Sequence, residues 1–117
     1  METLGPTDFD GTVLKRDGDV MACFAASWCP FCRRFLPQFE SDGQGRPYAI
    51  AFVDLSDESN PLWERFDIAV VPTIVVFRDG REVGRRPGRL GRGLNERDLA
   101  AARAMLSRGK PRASPPL

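Results

Sequence analysis

The 117-residue chain contains no histidine, a single tyrosine and only three cysteines. The missing histidines remove a common zinc ligand. A structural zinc site takes four ligands, so the cysteines alone cannot complete one. Three cysteines also argue against a disulfide-stapled secreted fold, because a single bridge leaves one thiol over. No apolar run approaches the roughly 20 residues of a membrane span. The opening Met1-Glu2-Thr3-Leu4-Gly5-Pro6 lacks the charged and apolar regions of a signal peptide. Together these absences predict a cytoplasmic protein with no membrane partner. There are no internal repeats either, and 42% apolar residues in this length suit one domain with one core.

What is present concentrates in Trp28-Cys29-Pro30-Phe31-Cys32. Upstream, Val20 to Ala26 has the length and composition of a buried strand, with Ser27-Trp28 as its exit turn. Downstream, Phe35, Leu36 and Phe39 need helical spacing to be buried together. A helix therefore begins near Cys29, with Pro30 at the first position, where its missing N–H would have had no partner. The first cysteine then caps the helix and the second lies one turn on. Unpaired N–H groups and the helix dipole favour a thiolate there, so Cys29 is expected to be the acidified, exposed, attacking thiol. Cys32, deeper in the first turn, is expected to close the intramolecular disulfide. Half of a zinc site and two unrelated core cysteines are the competing readings. The first would need ligands beyond Cys23, and the second makes the aromatic turn and the proline coincidental.

The rest of the chain reads as alternating elements. Met1–Asp8 is a frayed end or an edge strand, and Phe9–Lys15 reads as a turn or two of helix capped by Asp10 or Thr12. Strands are predicted at about 20–26, 48–55, 73–77 and 82–85, the last two joined by a turn at Arg78-Asp79-Gly80-Arg81. Helices are predicted at about 29–41, bending at Pro37, at 59–66, and at 94–106, where Leu94, Leu99, Ala102 and Leu106 recur at helical spacing. This pattern gives an α/β fold with a mixed central sheet and helices on both faces. Residues 1–107 form the domain, and residues 108–117 are expected to be a disordered tail containing proline and arginine.

Four motifs in order carry a family resemblance. Phe24-Ala25-Ala26-Ser27-Trp28-Cys29-Pro30-Phe31-Cys32 resembles the active-site segment of thioredoxins. Pro37 matches the proline of that family's active-site helix, Val71-Pro72-Thr73 its cis-proline loop, and Phe77-Arg78-Asp79-Gly80 its hairpin turn. The resemblance spans about residues 9–107. It implies the thioredoxin fold and a thiol–disulfide oxidoreductase working through Cys29 and Cys32, supported by Trp28, Pro30, Phe31, Val71 and Pro72. It implies no cofactor or metal beyond the dithiol, protein disulfides as substrates, and a reductase-like or other thiol electron donor. A lone X-Pro bond is usually trans. The resemblance instead implies a cis Val71-Pro72 bond that sets this loop against Cys29 and keeps a metal from settling between the thiols.

Two departures from the family stand out. Cys23 occupies the place of a buried aspartate six residues before the first active-site cysteine, and it reads as a buried small hydrophobe or as a third redox thiol. Pro30-Phe31 replaces the Gly-Pro of most thioredoxins and bears on the reduction potential.

Charge is uneven. Residues 1–77 hold 6 Lys/Arg against 12 Asp/Glu, whereas residues 78–117 hold 11 against 4. A solvated surface explains this, and a docking face is the sharper reading. No interleaved aromatic pattern supports nucleic-acid binding. The alternative to an enzyme is a non-catalytic binding module that docks partners through this arginine-rich part, and a monomer is expected in either case.

Overall fold

The computed structural model describes residues 1–109. Its strands are β1 (Glu2–Leu4), β2 (Phe9–Asp10), β3 (Val13–Leu14), β4 (Asp19–Ala25), β5 (Ala49–Asp54), β6 (Thr73–Arg78) and β7 (Arg81–Pro87). Its helices are α1 (Pro30–Asp42), α2 (Leu62–Arg65) and α3 (Glu96–Gly109), with a single 3-10 turn at Pro6–Asp8. Five strands form one sheet in the order β1-β5-β4-β6-β7. The β1–β5 and β5–β4 pairs are parallel, and β4–β6 and β6–β7 are antiparallel. The mixed α/β plan is therefore the observed one.

Strand β4 is the central strand, and its alternation divides the core. Val20, Ala22 and Phe24 point to one face, where Leu62, Phe66 and Ile68 from around α2 pack with Phe9 and Leu14 of the β2–β3 hairpin. Met21, Cys23 and Ala25 point to the other, against Cys32, Phe35 and Phe39 of α1 and Leu99, Ala102 and Leu106 of α3. A strand with side chains buried on both faces needs an unbroken apolar run, which Val20–Ala26 supplies. The β6–β7 turn places Asp79 at φ 49° and Gly80 at φ 86°, the two positive values that a tight type I′ hairpin requires. A side chain at Gly80 would also collide with the carbonyl oxygen of Leu14, whose own N–H donates to the Gly80 carbonyl at 2.8 Å.

Three expectations need correction. Phe9–Lys15 is not helical: β2 and β3 form an antiparallel hairpin, and Gly11-Thr12 is its turn, with Gly11 at φ 62°. The helix expected at 59–66 is shorter, Leu62–Arg65, because Asn60 turns the chain by accepting the Leu62 N–H at 2.9 Å before Pro61. Helix α3 runs on through Gly109, so the tail expected from residue 108 does not start there, and the remainder of that expectation lies outside the described residues.

Five arginines of the arginine-rich part are engaged within the fold. Asp98 is fully buried and accepts from Arg86 at 3.0 Å, from Arg89 at 3.1 and 3.3 Å, and from the Asn95 N–H at 2.8 Å. Asn95 in turn accepts the Arg97 N–H, so the start of α3 is capped from both sides. Burial pushes the Asp98 carboxyl up, but the Asn95 N–H and the two guanidiniums outweigh it and leave it below the ordinary carboxylate range. Arg103 joins α3 to α1 through Asp42 at 2.8 and 2.9 Å. Arg78 bonds Asp19 and the Leu106 carbonyl, and Arg85 bonds Glu82 and the Phe66 carbonyl.

Candidate active site

Residues 26–32 leave β4 and enter α1 at the C-terminal end of a parallel strand, where α/β sheets gather their sites. The exit turn is held by hydrogen bonds from several directions. The Ser27 N–H donates to Ser56 Oγ at 2.8 Å, and Trp28 Nε1 donates to the Ser56 carbonyl at 3.0 Å. Arg33 reaches back to the Ser27 carbonyl at 2.9 Å, and the Cys29 N–H donates to the Ala26 carbonyl at 3.2 Å. Trp28 stays half exposed and stacks on Trp63, their planes 9° apart and centroids 6.4 Å apart.

Cys29 is the N-cap of α1, with Pro30 at the first helical position as the sequence predicts. Its Sγ accepts the Cys32 N–H at 3.3 Å, which directs an unpaired helix-terminal donor at the sulfur. Its thiol donates to the Val71 carbonyl at 3.6 Å. The Val71-Pro72 bond is cis, as the resemblance implies, and Pro72 is buried beside the site. Cys29 is less open than expected: 6% of its surface is accessible, because the cis-proline loop and the α1 start close over it. Cys32 and Cys23 are wholly buried on the same face of the sheet. Burial, with the hydrogen bond to Cys29, pushes the Cys32 thiol up, and burial does the same to Cys23. All three cysteines are free thiols.

Sequence reasoning missed several contributors. Trp63 falls within the helix expected at 59–66, and nothing in the sequence brings it against Trp28. Gly88 and Gly93 were not singled out, yet both pack on the site. The Gly88 N–H donates to the Pro72 carbonyl at 2.9 Å, and a side chain at Gly88 would stand 2.6 Å from that oxygen. A side chain at Gly93 would stand 2.9 Å from Phe31 Cβ. Only glycine permits both approaches. The signal was the density of glycine between Pro87 and Leu94. Phe31 itself carries the Arg34 guanidinium 5.8 Å from its ring centroid. Pro37 lies inside α1 and withholds the N–H that would have bonded the Arg33 carbonyl.

Chemically, the arrangement presents one slightly open cysteine, a second cysteine one turn deeper, and a neighbouring backbone carbonyl, with Trp28 and Phe31 beside them in the chain. Among the described residues, no group of three His, Cys, Asp or Glu side chains could hold a metal ion. No helix among them is long and apolar enough to cross a membrane.

A family model for thioredoxin matches residues 1–98. A thioredoxin of Mycolicibacterium smegmatis is 31% identical over 105 residues, which cover 86% of this chain and 94% of that protein. Thioredoxin X, chloroplastic, of Arabidopsis thaliana is 31% identical over 91 residues, 75% of this chain but 50% of that protein. Protein disulfide-isomerase A3 of Gallus gallus is 31% identical over 87 residues, 73% of this chain and 17% of that longer protein. The crystal structure of Chlamydomonas reinhardtii thioredoxin f2 superposes with a TM-score of 0.74 at 20% identity, covering 96% of this chain and 99% of that one, and so shares the fold. With a fold, a spacing of thiols and a matched family model that agree, the chain belongs to the thioredoxin family of thiol–disulfide oxidoreductases.

Proposed function

We propose that the chain reduces disulfides of protein substrates in a reducing compartment such as the cytoplasm, with Cys29 as nucleophile and Cys32 as resolving thiol. The observation that carries this is the pair of unequal sulfurs. Cys29 keeps a small open surface and its Sγ accepts a helix-terminal N–H, while Cys32 is wholly buried one turn below it.

The Cys29 thiolate attacks one substrate sulfur, which forms a mixed disulfide and releases the other substrate sulfur as a thiolate. Cys32 then loses its proton and attacks Cys29 Sγ. This closes the Cys29–Cys32 disulfide and releases the second substrate thiolate, so the substrate gains two electrons and the dithiol loses two. A reductase-like or other thiol donor restores the dithiol, and no further cofactor enters. Trp28, Pro30, Phe31, Val71 and Pro72 shape the approach to Cys29. Cys23 takes no part in this cycle, and its place is that of a buried apolar side chain.

Reduction of insulin by the purified protein with a dithiol donor tests the roles. Cys29→Ser should fall to the uncatalysed rate, whereas Cys32→Ser should accumulate a mixed disulfide through Cys29. Faster trapping through Cys32 than through Cys29 would reverse the assignment. The binding-module reading is not favoured, because Arg78, Arg85, Arg86, Arg89 and Arg103 are engaged within the fold.

A further inference from the structure

Leu90 is 95% exposed, more than any other large apolar side chain among the described residues. It does not hang from a loose segment. Arg89 and Gly93 pair across the loop through hydrogen bonds of 3.1 and 2.8 Å, and the Arg92 N–H closes onto the Arg89 carbonyl at 2.9 Å. Arg89 is fastened from below by the buried Asp98. The loop is also fastened to the dithiol site: Gly88 donates to the Pro72 carbonyl, and Gly93 lies against Phe31. Phe31 stands between the two cysteines, and Val71, next to Pro72, receives the Cys29 thiol. An apolar knob is thus carried on a closed loop that is fastened to Pro72 and lies against Phe31, two neighbours of the dithiol, with its ordering cost already met in the free protein.

The loop and its Phe31 neighbour carry two cations outside the Asp98 ion pairs. Arg34 lies over the Phe31 ring that Gly93 touches, and Arg92 shares the loop with Leu90. Neither makes an ion pair among the described residues, unlike Arg86 and Arg89. Between Arg85 and Asn95 the sequence carries no acidic residue.

We propose that this loop selects substrates: it favours protein disulfides whose attacked cysteine is flanked by an apolar side chain, received by Leu90, and an acidic one, received by Arg34 and Arg92. The inference rests on the reading of the site as a protein-disulfide reductase, and it names the substrate class.

The test uses three synthetic disulfide peptides and neutral hydroxyethyl disulfide. The first peptide has phenylalanine and glutamate beside the cysteine, the second replaces the phenylalanine by serine, and the third replaces the glutamate by lysine. Each kcat/KM is divided by that for hydroxyethyl disulfide measured with the same variant. The full-length protein should prefer the first peptide over the second by about fivefold, the scale of burying part of one apolar side chain. Leu90→Ser should erase that preference. The first peptide should exceed the third by about fivefold at low salt and by less at high salt, and Arg92→Glu should invert the order. Equal ratios for all three peptides would overturn the inference while hydroxyethyl disulfide turnover leaves the reductase reading standing. No turnover of any disulfide by the unmodified protein would remove both. A concentration-dependent dimer that Leu90→Ser abolishes would assign the knob to a second copy of the chain and overturn the substrate reading.

Discussion

One residue along β4 separates two kinds of interior. Phe24 points to the α2 face, where its ring meets Phe66 edge-on at 5.0 Å and Phe66 meets Phe9 and Phe77 at 5.2 and 5.9 Å. Cys23 points the other way, to a face with all three thiols, the Phe35 and Phe39 rings of α1 and the small partners Ala25, Ala26 and Ala102. The aromatic face is closed by bulk and contains no sulfur. The thiol face is closed by two helices tied through Asp42–Arg103 and by a capped, ion-paired start of α3. Stability and redox chemistry are thus given to opposite sides of one strand, so each side can be perturbed separately.

The largest effect on this contrast should come from Phe24→Ala. Deleting a wholly buried ring from the aromatic face should cost about 3–5 kcal/mol in denaturant unfolding. The insulin-reduction rate at temperatures well below the melting point should change little. A proportional loss of activity in the folded variant would show that the faces are coupled.

Asp98→Asn should come next. It leaves two half-exposed arginines facing a neutral amide, at a cost of about 1–3 kcal/mol at pH 7. Because the Asp98 carboxyl is held below its ordinary value of 3.8, the native state gains from its ionisation above that pH. That gain disappears as pH falls through the still lower native value. The difference between the two proteins should therefore shrink below about pH 4, as urea unfolding at a series of pH values would reveal. A constant difference down to pH 2 would show that the carboxylate charge is not what matters.

The last effect is confined to alkaline pH and concerns Cys32. Its native pKa lies above the ordinary thiol value of 9.0, so the unfolded chain ionises first as pH rises, and the reduced fold loses stability between about 9 and 12. The loss should approach but not exceed about 1.4 kcal/mol per pH unit. In the disulfide form Cys32 has no proton to lose, so the reduced protein should weaken faster than the oxidised one from pH 8.5 to 10.5. Parallel curves for the two redox forms would place Cys32 in a more polar setting than the thiol face provides.

Much of this division could be read from residue order. Unbroken apolar runs mark β4 and β6 because both are covered on two sides. Cys29, Pro30 and the Phe35–Phe39 spacing mark α1 because a cap, a first-turn proline and a helical stripe are local signals. The cis bond before Pro72 came only through family resemblance, since no local rule selects it. Where two local signals competed, the reading failed: Asp10-Gly11-Thr12 can cap a helix or lead into a hairpin turn, and burial of Phe9 and Leu14 against α2 decides for the hairpin. The pairings of the arginines were illegible for another reason. Arg103 finds Asp42 across 61 residues, and such a pairing exists only once the sheet has placed α1 beside α3. The low exposure of Cys29 likewise depends on a loop more than 40 positions away.

The alternation of β4 acts as an address written in odd and even numbers. Odd positions 21, 23 and 25 face the thiols, and even positions 20, 22 and 24 face the rings. Deleting one residue between Gly18 and Ala22 while the pairing of the preceding segment is kept would shift every later side chain of the strand to the wrong compartment, with Cys23 sent among the side chains of the α2 face and Phe24 beneath α1 and α3. The chain can therefore change length only where no parity is kept, as between Gly43 and Pro47. The central strand must be inherited as a unit, even where its individual side chains are free to vary.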